Sequence, residues 1–338
     1  MSSQSIVSAI VSIYAAERFM SGCLDDLTCQ TLGEKLEIIV VDACSPQNES
    51  AIVSDYMARF PNIVYVRAPA REGVYASWNR GLRLARGRYI TNANADDRHR
   101  RDALETMSRV LDARKDIDFV YGDCRVGYRE NETFEDNCHG KVLYFPEYFA
   151  PATLLYCQLG PQPMWRREVH ERVGFFNENY RACGDWNFNI VLAGHARGLH
   201  IPEELGLYLE HPLAISFRDS TMGMENELLR RRWQHAKAVE QRYRTMGVPC
   251  ESQAQRALVH LDMGIRALRF YPPWRYGVPE SALSFARRCF RHALRLNPAL
   301  APADELLELS DDALTCLEDL PSPLGLPTQA ELSTLRTS

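Results

Sequence analysis

REGVYASWNRGLRLARGRYITNANADD, residues Arg71 to Asp97, carries a helix, a break and a strand in one run. Val74 to Ala85 reads as the helix, Gly87 punctuates the chain, and Tyr89 to Ala93 reads as a strand that runs into the polar cluster Asn94, Asp96, Asp97. The same alternation extends to both sides. Upstream, Ile6 to Ile13 is a short apolar strand, and Phe19, Met20, Cys23, Leu24 and Leu27 follow at helical spacing. Leu36 to Val41 is apolar without polar alternation, the mark of a strand buried on both faces, and it ends in Asp42. A helix over Ile52 to Phe60 and a strand at Ile63 to Val66 come next. Downstream lie a helix from about Asp102 to Leu111 and a strand over Asp118 to Tyr121. Strands alternating with helices predict an α/β doubly wound, Rossmann-like sheet.

Such sheets bind ligands in the crevice beyond the carboxyl ends of their strands. Two predicted strands end in acid there, one at Asp42 and one at Asp96 and Asp97, more than fifty residues apart. Taken singly, each acid is equally well read as a cap on the following turn.

Three segments in order carry a more specific signal: EIIVVDACS (Glu37 to Ser45) after an opening strand with Tyr14, the Arg71 to Asp97 run, and GPQPMWRREVHERVGFFNENYRACGDWNF (Gly160 to Phe188). Together, over about residues 5 to 218, the chain resembles the family 2 glycosyltransferases with the glycosyltransferase-A fold. The resemblance implies transfer of a hexosyl or N-acetylhexosaminyl group from a nucleotide-sugar, in particular a UDP-sugar, to an acceptor hydroxyl, inverting and non-processive. It implies that Asp42 accepts a hydrogen bond from the nucleotide base, with Tyr14 and Arg71 as base or phosphate contacts and Asn79, of the Asn-x-Gly, on the donor side. Asp96 is implied as the carboxylate for Mn²⁺ or Mg²⁺. Asp97 would bind through water or orient the loop. Asn94 stands where the family usually has its first acid, so it can hydrogen-bond a ribose or sugar hydroxyl but brings no charge to the cation. Asp185 falls at the position of the catalytic base, with Gly184 in place of the Glu that often precedes it; read from the residues alone, it is a helix cap ahead of Trp186. His211 lies near where several such enzymes supply a His to metal or phosphate, although a lone His is usually structural. Trp165 and Trp186 are candidates to stack on a sugar, or else core residues.

Two rival classes are disfavoured. A nucleotidyltransferase needs a Gly-rich phosphate loop after its first strand, where this chain has Tyr14, Ala15, Ala16, Glu17, and a processive synthase needs a Gln-x-x-Arg-Trp motif after the base. A catalytically silent nucleotide-sugar-binding or scaffold protein remains the alternative, because Asn94 and Gly184 both replace acids.

Beyond about residue 219 the pattern turns helical. Ala282 to Pro298, with Ala257 to Leu268 as partner, is read as one tetratricopeptide-like unit or as an ordinary hairpin. The division expected is a catalytic domain over 1–218, a helical region over 219–320 with breaks at Gly247 to Pro249 and Tyr271 to Pro273, and a flexible tail over 321–338. Composition adds limits. The chain of 338 residues is 46% hydrophobic and 25% charged, ordinary for a globular protein, and no apolar run approaches the ~20 residues of a membrane span. A cytoplasmic protein is expected, with peripheral contact at the inner membrane face as an option. Residues 225 to 297 hold 14 Lys plus Arg against 6 Asp plus Glu, and 298 to 338 hold 1 against 8, so the basic charge belongs to one segment and nucleic acid is not the partner indicated. The partners expected are the nucleotide-sugar and an acceptor glycan, lipid-linked saccharide, peptide or small metabolite. Ten scattered cysteines without a C-x-x-C pair read as free thiols.

Overall fold

A computed structural model of the chain describes residues 5–211, 219–269, 280–316 and 321–326. Two compact units are distinguishable, one of Met1–Phe145, Leu159–Phe188 and Gly198–Glu225, the other of Pro146–Gln158, Asn189–Arg197 and Asn226–Ser338.

Among the described residues the first unit is built on nine strands: β1 (Val7–Ile13), β2 (Leu36–Asp42), β3 (Ile63–Arg67), β4 (Tyr89–Asn92), β5 (Arg98–His99), β6 (Phe119–Gly127), β7 (Val142–Leu143), β8 (Met164–Arg166) and β9 (Gly198–Leu209). They lie in the order β3-β2-β1-β4-β8-β6-β9-β5, with β7 on β6. The half β3-β2-β1-β4 is parallel, as the sequence predicts. The helices that return the chain are α1 (Glu17–Thr28), α2 (Glu49–Met57) and α3 (Val74–Leu84), followed by α4 (Ala103–Ala113) after β5. Every residue of β2 is buried, which accounts for its unbroken apolar run. One face of β1 (Val7, Ala9, Val11, Ile13) shares a core with Phe19, Met20, Cys23, Leu24 and Leu27 of α1. The other face meets α3, whose Gly81 backbone lies so near that a Cβ there would sit 2.5 Å from Ile10 Cγ2. Beyond β4 the sheet turns mixed: β8 is antiparallel to both β4 and β6, and β9 runs parallel to β6 with register shifts between Gly122 and Cys124.

Further helices are α5 (Val169–Val173), α6 (Gly184–Ala193), α7 (Asp219–Trp233), α8 (Ala236–Thr245), α9 (Gln253–Arg269), α10 (Glu280–Leu296), α11 (Ala301–Glu308) and α12 (Asp311–Cys316). In the second unit α9 and α10 pack on each other, so closely that a Cβ on Gly264 would lie 2.3 Å from the Phe290 ring. The buried carboxylate of Asp262 gathers Tyr243 from α8, Arg266 Nε at 2.7 Å and the Ser322 hydroxyl at 2.5 Å. Arg287 of the basic α10 donates to Asp311 at 2.7 Å and to the carbonyl of Leu309 at 2.7 Å, so part of the acidic stretch is tied to the basic helix. The break at Gly247 separates α8 from α9 at a left-handed φ of 83°. The predicted break at Tyr271 to Pro273 lies outside the described residues, as do 327–338 of the predicted tail and 212–218. Among the described residues no helix is long and apolar enough to cross a membrane, and the cysteines are free.

Candidate active site

Register fixes where the polar strand ends fall. Ile13 pairs with Asp42, Asp42 with Arg67 and Ile10 with Asn92, so the chain leaves β1, β2 and β4 at the same edge of the parallel half. The turns there are strained: Ala15, just after β1, and Cys44, just after β2, hold φ of 52° and 62° without being glycine. Buried acid holds both turns in place. Glu49 Oε1 accepts from the Ala16 N–H at 2.8 Å and from the Ser45 hydroxyl at 2.7 Å.

Asp42, fully buried, accepts from the Ser45 N–H at 2.7 Å, from the Tyr65 hydroxyl at 2.6 Å and from the Arg67 guanidinium. Its carboxylate is held by three groups of the protein itself. Tyr14 and Arg71 meet beside this turn region, the guanidinium 4.2 Å from the ring centroid, and Tyr14 is exposed.

After β4 the chain makes the turn Asn94 to Asp97, closed by an Asp97 N–H to Asn94 carbonyl bond of 3.2 Å. Asp97 is buried. One of its oxygens takes the Leu209 N–H at 3.0 Å and the other takes the Asn94 amide at 2.9 Å, so Asp97 and Asn94 brace the turn. Burial, and then the neighbouring Asp96, push the Asp97 carboxyl up to about 8. Asp96 is the member left facing outward, with His211 Nε2 at 3.5 Å from its Oδ2. Residues 115 apart in sequence thus meet because β9 returns beside β5 and delivers His211 to the turn; the His211 ring also packs on Phe19 at 6.2 Å. Two ligands of one ion bound at ~2.1 Å sit roughly 3.0–3.5 Å apart. The Asp96 and His211 pair fits a divalent cation on that measure, and a cation there would also offset the repulsion between two adjacent acids.

Sequence reading missed the residue beneath this turn. Arg98, 1% exposed, donates to the carbonyls of Ala95 at 2.9 Å and Asp97 at 2.5 Å and to Asn131 at 2.7 Å. Its only sequence signal is an arginine directly after the acids. Gly22 of α1 makes the space, since a Cβ there would lie 2.5 Å from Arg98 Nη2 and 2.6 Å from Asn131 Oδ1. Gly22→Ala is therefore expected to destabilise the protein by about 1–3 kcal/mol, the cost of overpacking, despite the better helix propensity of Ala. Urea unfolding measures it, and an unchanged midpoint would mean that the Arg98 guanidinium is free to move.

Asp185 lies in the first turn of α6. Its Oδ1 accepts from the Trp186 N–H at 2.8 Å and from the Tyr75 hydroxyl at 3.2 Å. The backbone N–H groups just before it, of Arg181, Ala182 and Cys183, are taken at 2.6–2.8 Å by Glu225 of α7. Burial raises the Asp185 carboxyl above the usual range, against the lowering effect of its donors, and the Tyr75 hydroxyl is raised well above its own. The glycine before Asp185 has a packing cause: a Cβ at 184 would sit 2.6 Å from two ring carbons of Tyr75.

Three expected contacts are corrected. Trp165 is 1% exposed, donates from its indole to His170 at 2.8 Å and packs on Phe188 with centroids 5.8 Å apart, so no sugar reaches it. Trp186, 5% exposed, is likewise core. Asn79, 1% exposed, spends its amide on the Phe176 backbone, at 2.9 Å in both directions, and on Glu178 at 2.8 Å; it pins the 176–178 loop and has no face for a donor.

Asn94→Asp is expected to lower the thermal midpoint of the metal-free protein. It replaces the donor to buried Asp97 by a second carboxylate at about 3 Å, a loss on the order of 1–3 kcal/mol. An unchanged midpoint would mean that Asp97 does not depend on Asn94.

Comparison with known proteins bears on the fold and the family. The model of the family "Glycosyl transferase family 2" matches residues 8–174. A "PGL/p-HBAD biosynthesis glycosyltransferase" of Mycobacterium bovis is 26% identical over 187 residues, 54% of this chain and 68% of its own length. The "Uncharacterized glycosyltransferase EpsJ" of Bacillus subtilis is 28% identical over 223 residues, 62% of this chain and 63% of its own. Among solved structures, S. aureus TarS 1-349 in complex with UDP aligns with TM-score 0.56 at 15% identity, over 89% of this chain and 87% of that one. The TarS complex with UDP-GlcNAc aligns with TM-score 0.53 at 14% identity, covering 91% and 77%. The fold is glycosyltransferase-A, and the segment that carries both acidic turns, within residues 8–174, matches glycosyl transferase family 2.

Proposed function

We propose that the chain transfers a sugar from a UDP-sugar to an acceptor hydroxyl with inversion, using Mn²⁺ or Mg²⁺. The observation that carries the reading is the meeting of Asp96 and His211, 3.5 Å apart, at the edge of the sheet where β1, β2 and β4 end. Uridine as the base is supported by the UDP and UDP-GlcNAc complexes of the TarS fold neighbours. Tyr14 and Arg71, already stacked, offer an aromatic face and a cation to base or phosphate. Asp42, expected to accept from the base, is fully buried and already held by Tyr65, Arg67 and Ser45, so it braces the turn beside this pair rather than meeting the base itself. Asp96 and His211 would hold the cation, and imidazole beside carboxylate would favour Mn²⁺ over Mg²⁺. When bound, the cation neutralises charge building on the departing diphosphate.

Asp185 takes the proton. The acceptor oxygen forms its bond to the anomeric carbon while the bond from that carbon to the diphosphate oxygen breaks, and the hydroxyl proton passes to the carboxylate. A hexosyl or N-acetylhexosaminyl group and a glycan or lipid-linked acceptor are the classes to try first. The direct test is a panel of UDP-, GDP- and dTDP-sugars with and without Mn²⁺, read by thermal shift and by release of nucleoside diphosphate. Stabilisation by UDP-sugars with no release under any acceptor would favour the silent, nucleotide-sugar-binding reading that Asn94 keeps open.

A further inference from the structure

Three helices of the second unit bring together Glu240 (α8), His260 (α9) and His292 (α10), with one ligand atom from each inside a 4.8 Å set. His260 and Glu240 are buried at 1% and 7% exposure, and His292 is half-buried. We propose that this cluster binds a divalent transition-metal cation, Zn²⁺ above all, as a clamp on α8, α9 and α10 separate from the Asp96 turn.

Spacing is the first argument. His260 Nε2 lies 3.3 Å from Glu240 Oε1, and the two imidazoles meet edge to face with centroids 4.3 Å apart. Tetrahedral ligands at ~2.0–2.1 Å from zinc are about 3.3 Å from each other, so a small closure of His292 completes three ligands. Ligand type is the second: two imidazoles and one carboxylate suit zinc and its first-row neighbours rather than Mg²⁺ or Ca²⁺. The partial exposure of His292 gives the ion a way in and leaves room for water as a fourth ligand.

Three arginines oppose it. Arg244 pairs with Glu240 at 3.3 Å, Arg295 lies 3.1 Å from His292 Nδ1, and Arg256 lowers both histidines by its charge. Arg295 is exposed, and ligation through His292 Nε2 would put the ring proton on Nδ1, where that guanidinium now approaches. Metal binding therefore requires Arg295 to swing into solvent, and Arg295→Gln should tighten the site.

The experiment uses the full chain carrying Asp96→Ala, so that the first unit adds no metal signal. Zn²⁺ at about 100 times its dissociation constant is expected to raise the melting transition by on the order of 5 °C. Co²⁺ should give the visible band of a four-coordinate complex at one equivalent. His292→Ala, at a half-buried position, should weaken binding at least tenfold, and Arg295→Gln should strengthen it. A chain whose melting and Co²⁺ spectrum ignore the metals, or whose His292→Ala variant binds as its parent does, overturns the proposal and leaves the cluster as a buried hydrogen bond and a ring contact.

Discussion

Asp185→Asn should fold, bind UDP-sugar and Mn²⁺ with unchanged affinity, and lose transfer by roughly 10² to 10⁴-fold, the range for a general base. That equals about 3–5 kcal/mol of transition-state stabilisation. Asn keeps an oxygen for the Trp186 N–H and the Tyr75 hydroxyl, so the first turn of α6 stays satisfied while the charge is gone. Sign matters for stability. A carboxyl raised in the folded state favours folding while protonated, and that contribution is lost as pH rises through the folded value. A permanently neutral Asn therefore leaves the protein as stable as wild type or more so near neutrality, whereas a purely structural anion would predict a loss. The wild-type rate should fall as pH drops through a carboxyl value above the ordinary Asp range, and that limb should vanish in the residual activity of the variant. Transfer within a few-fold of wild type, with chemistry rate-limiting, would remove Asp185 from the mechanism and direct attention to Glu178 or Glu210.

The parallel half of the sheet was legible because each element had enough length and one clear pattern. Leu36 to Val41 is buried on both faces and reads so; Phe19 to Leu27 supplies one face of a helix and reads so. The other half was not legible. β8 has three residues and β5 two, too short for any period, and β9 crosses Pro202, Glu203 and Glu204 where its register against β6 slips, which hides its alternation. The site divides along the same line. Acids at strand ends could be found from position alone, and His211 from its place after the acceptor segment. Arg98 could not, since a buried arginine looks in sequence like any surface one. Trp165 and Trp186 failed for the converse reason: an aromatic in a site-bearing segment carries no mark of which way it faces. The glycine before Asp185 reads in sequence as a lost acid, and only the Tyr75 ring shows what it makes room for.

Asp96→Ala should abolish the Mn²⁺-dependent part of UDP-sugar binding and lower transfer by about 10² to 10³-fold, the usual cost of removing one group that stabilises developing charge. Wild type is expected to melt higher with UDP-sugar plus Mn²⁺ than with either alone, and the variant to lose that difference. Removing the cation by chelation should reduce wild type to the level of the variant. Metal-free protein offers an independent readout through Asp97. Its carboxyl, pushed up to about 8 by burial and then by Asp96, contributes stability that is full below the ordinary Asp value and lost progressively as pH climbs toward 8. Deleting the Asp96 charge leaves burial in place but removes the like-charge neighbour, so the folded value of Asp97 drops and the fall in stability between pH 5 and 8 becomes shallower. Asp97→Ala, by contrast, strands the Leu209 N–H and the Asn94 amide and should act mainly on stability, with metal affinity following only as the turn loosens. Were Asp96→Ala to keep both the Mn²⁺-dependent shift and the wild-type pH slope, the cation would have to be held elsewhere. The pairing of Asp96 with His211 would then be an ordinary surface contact, and the cation chemistry assigned to this turn would go with it.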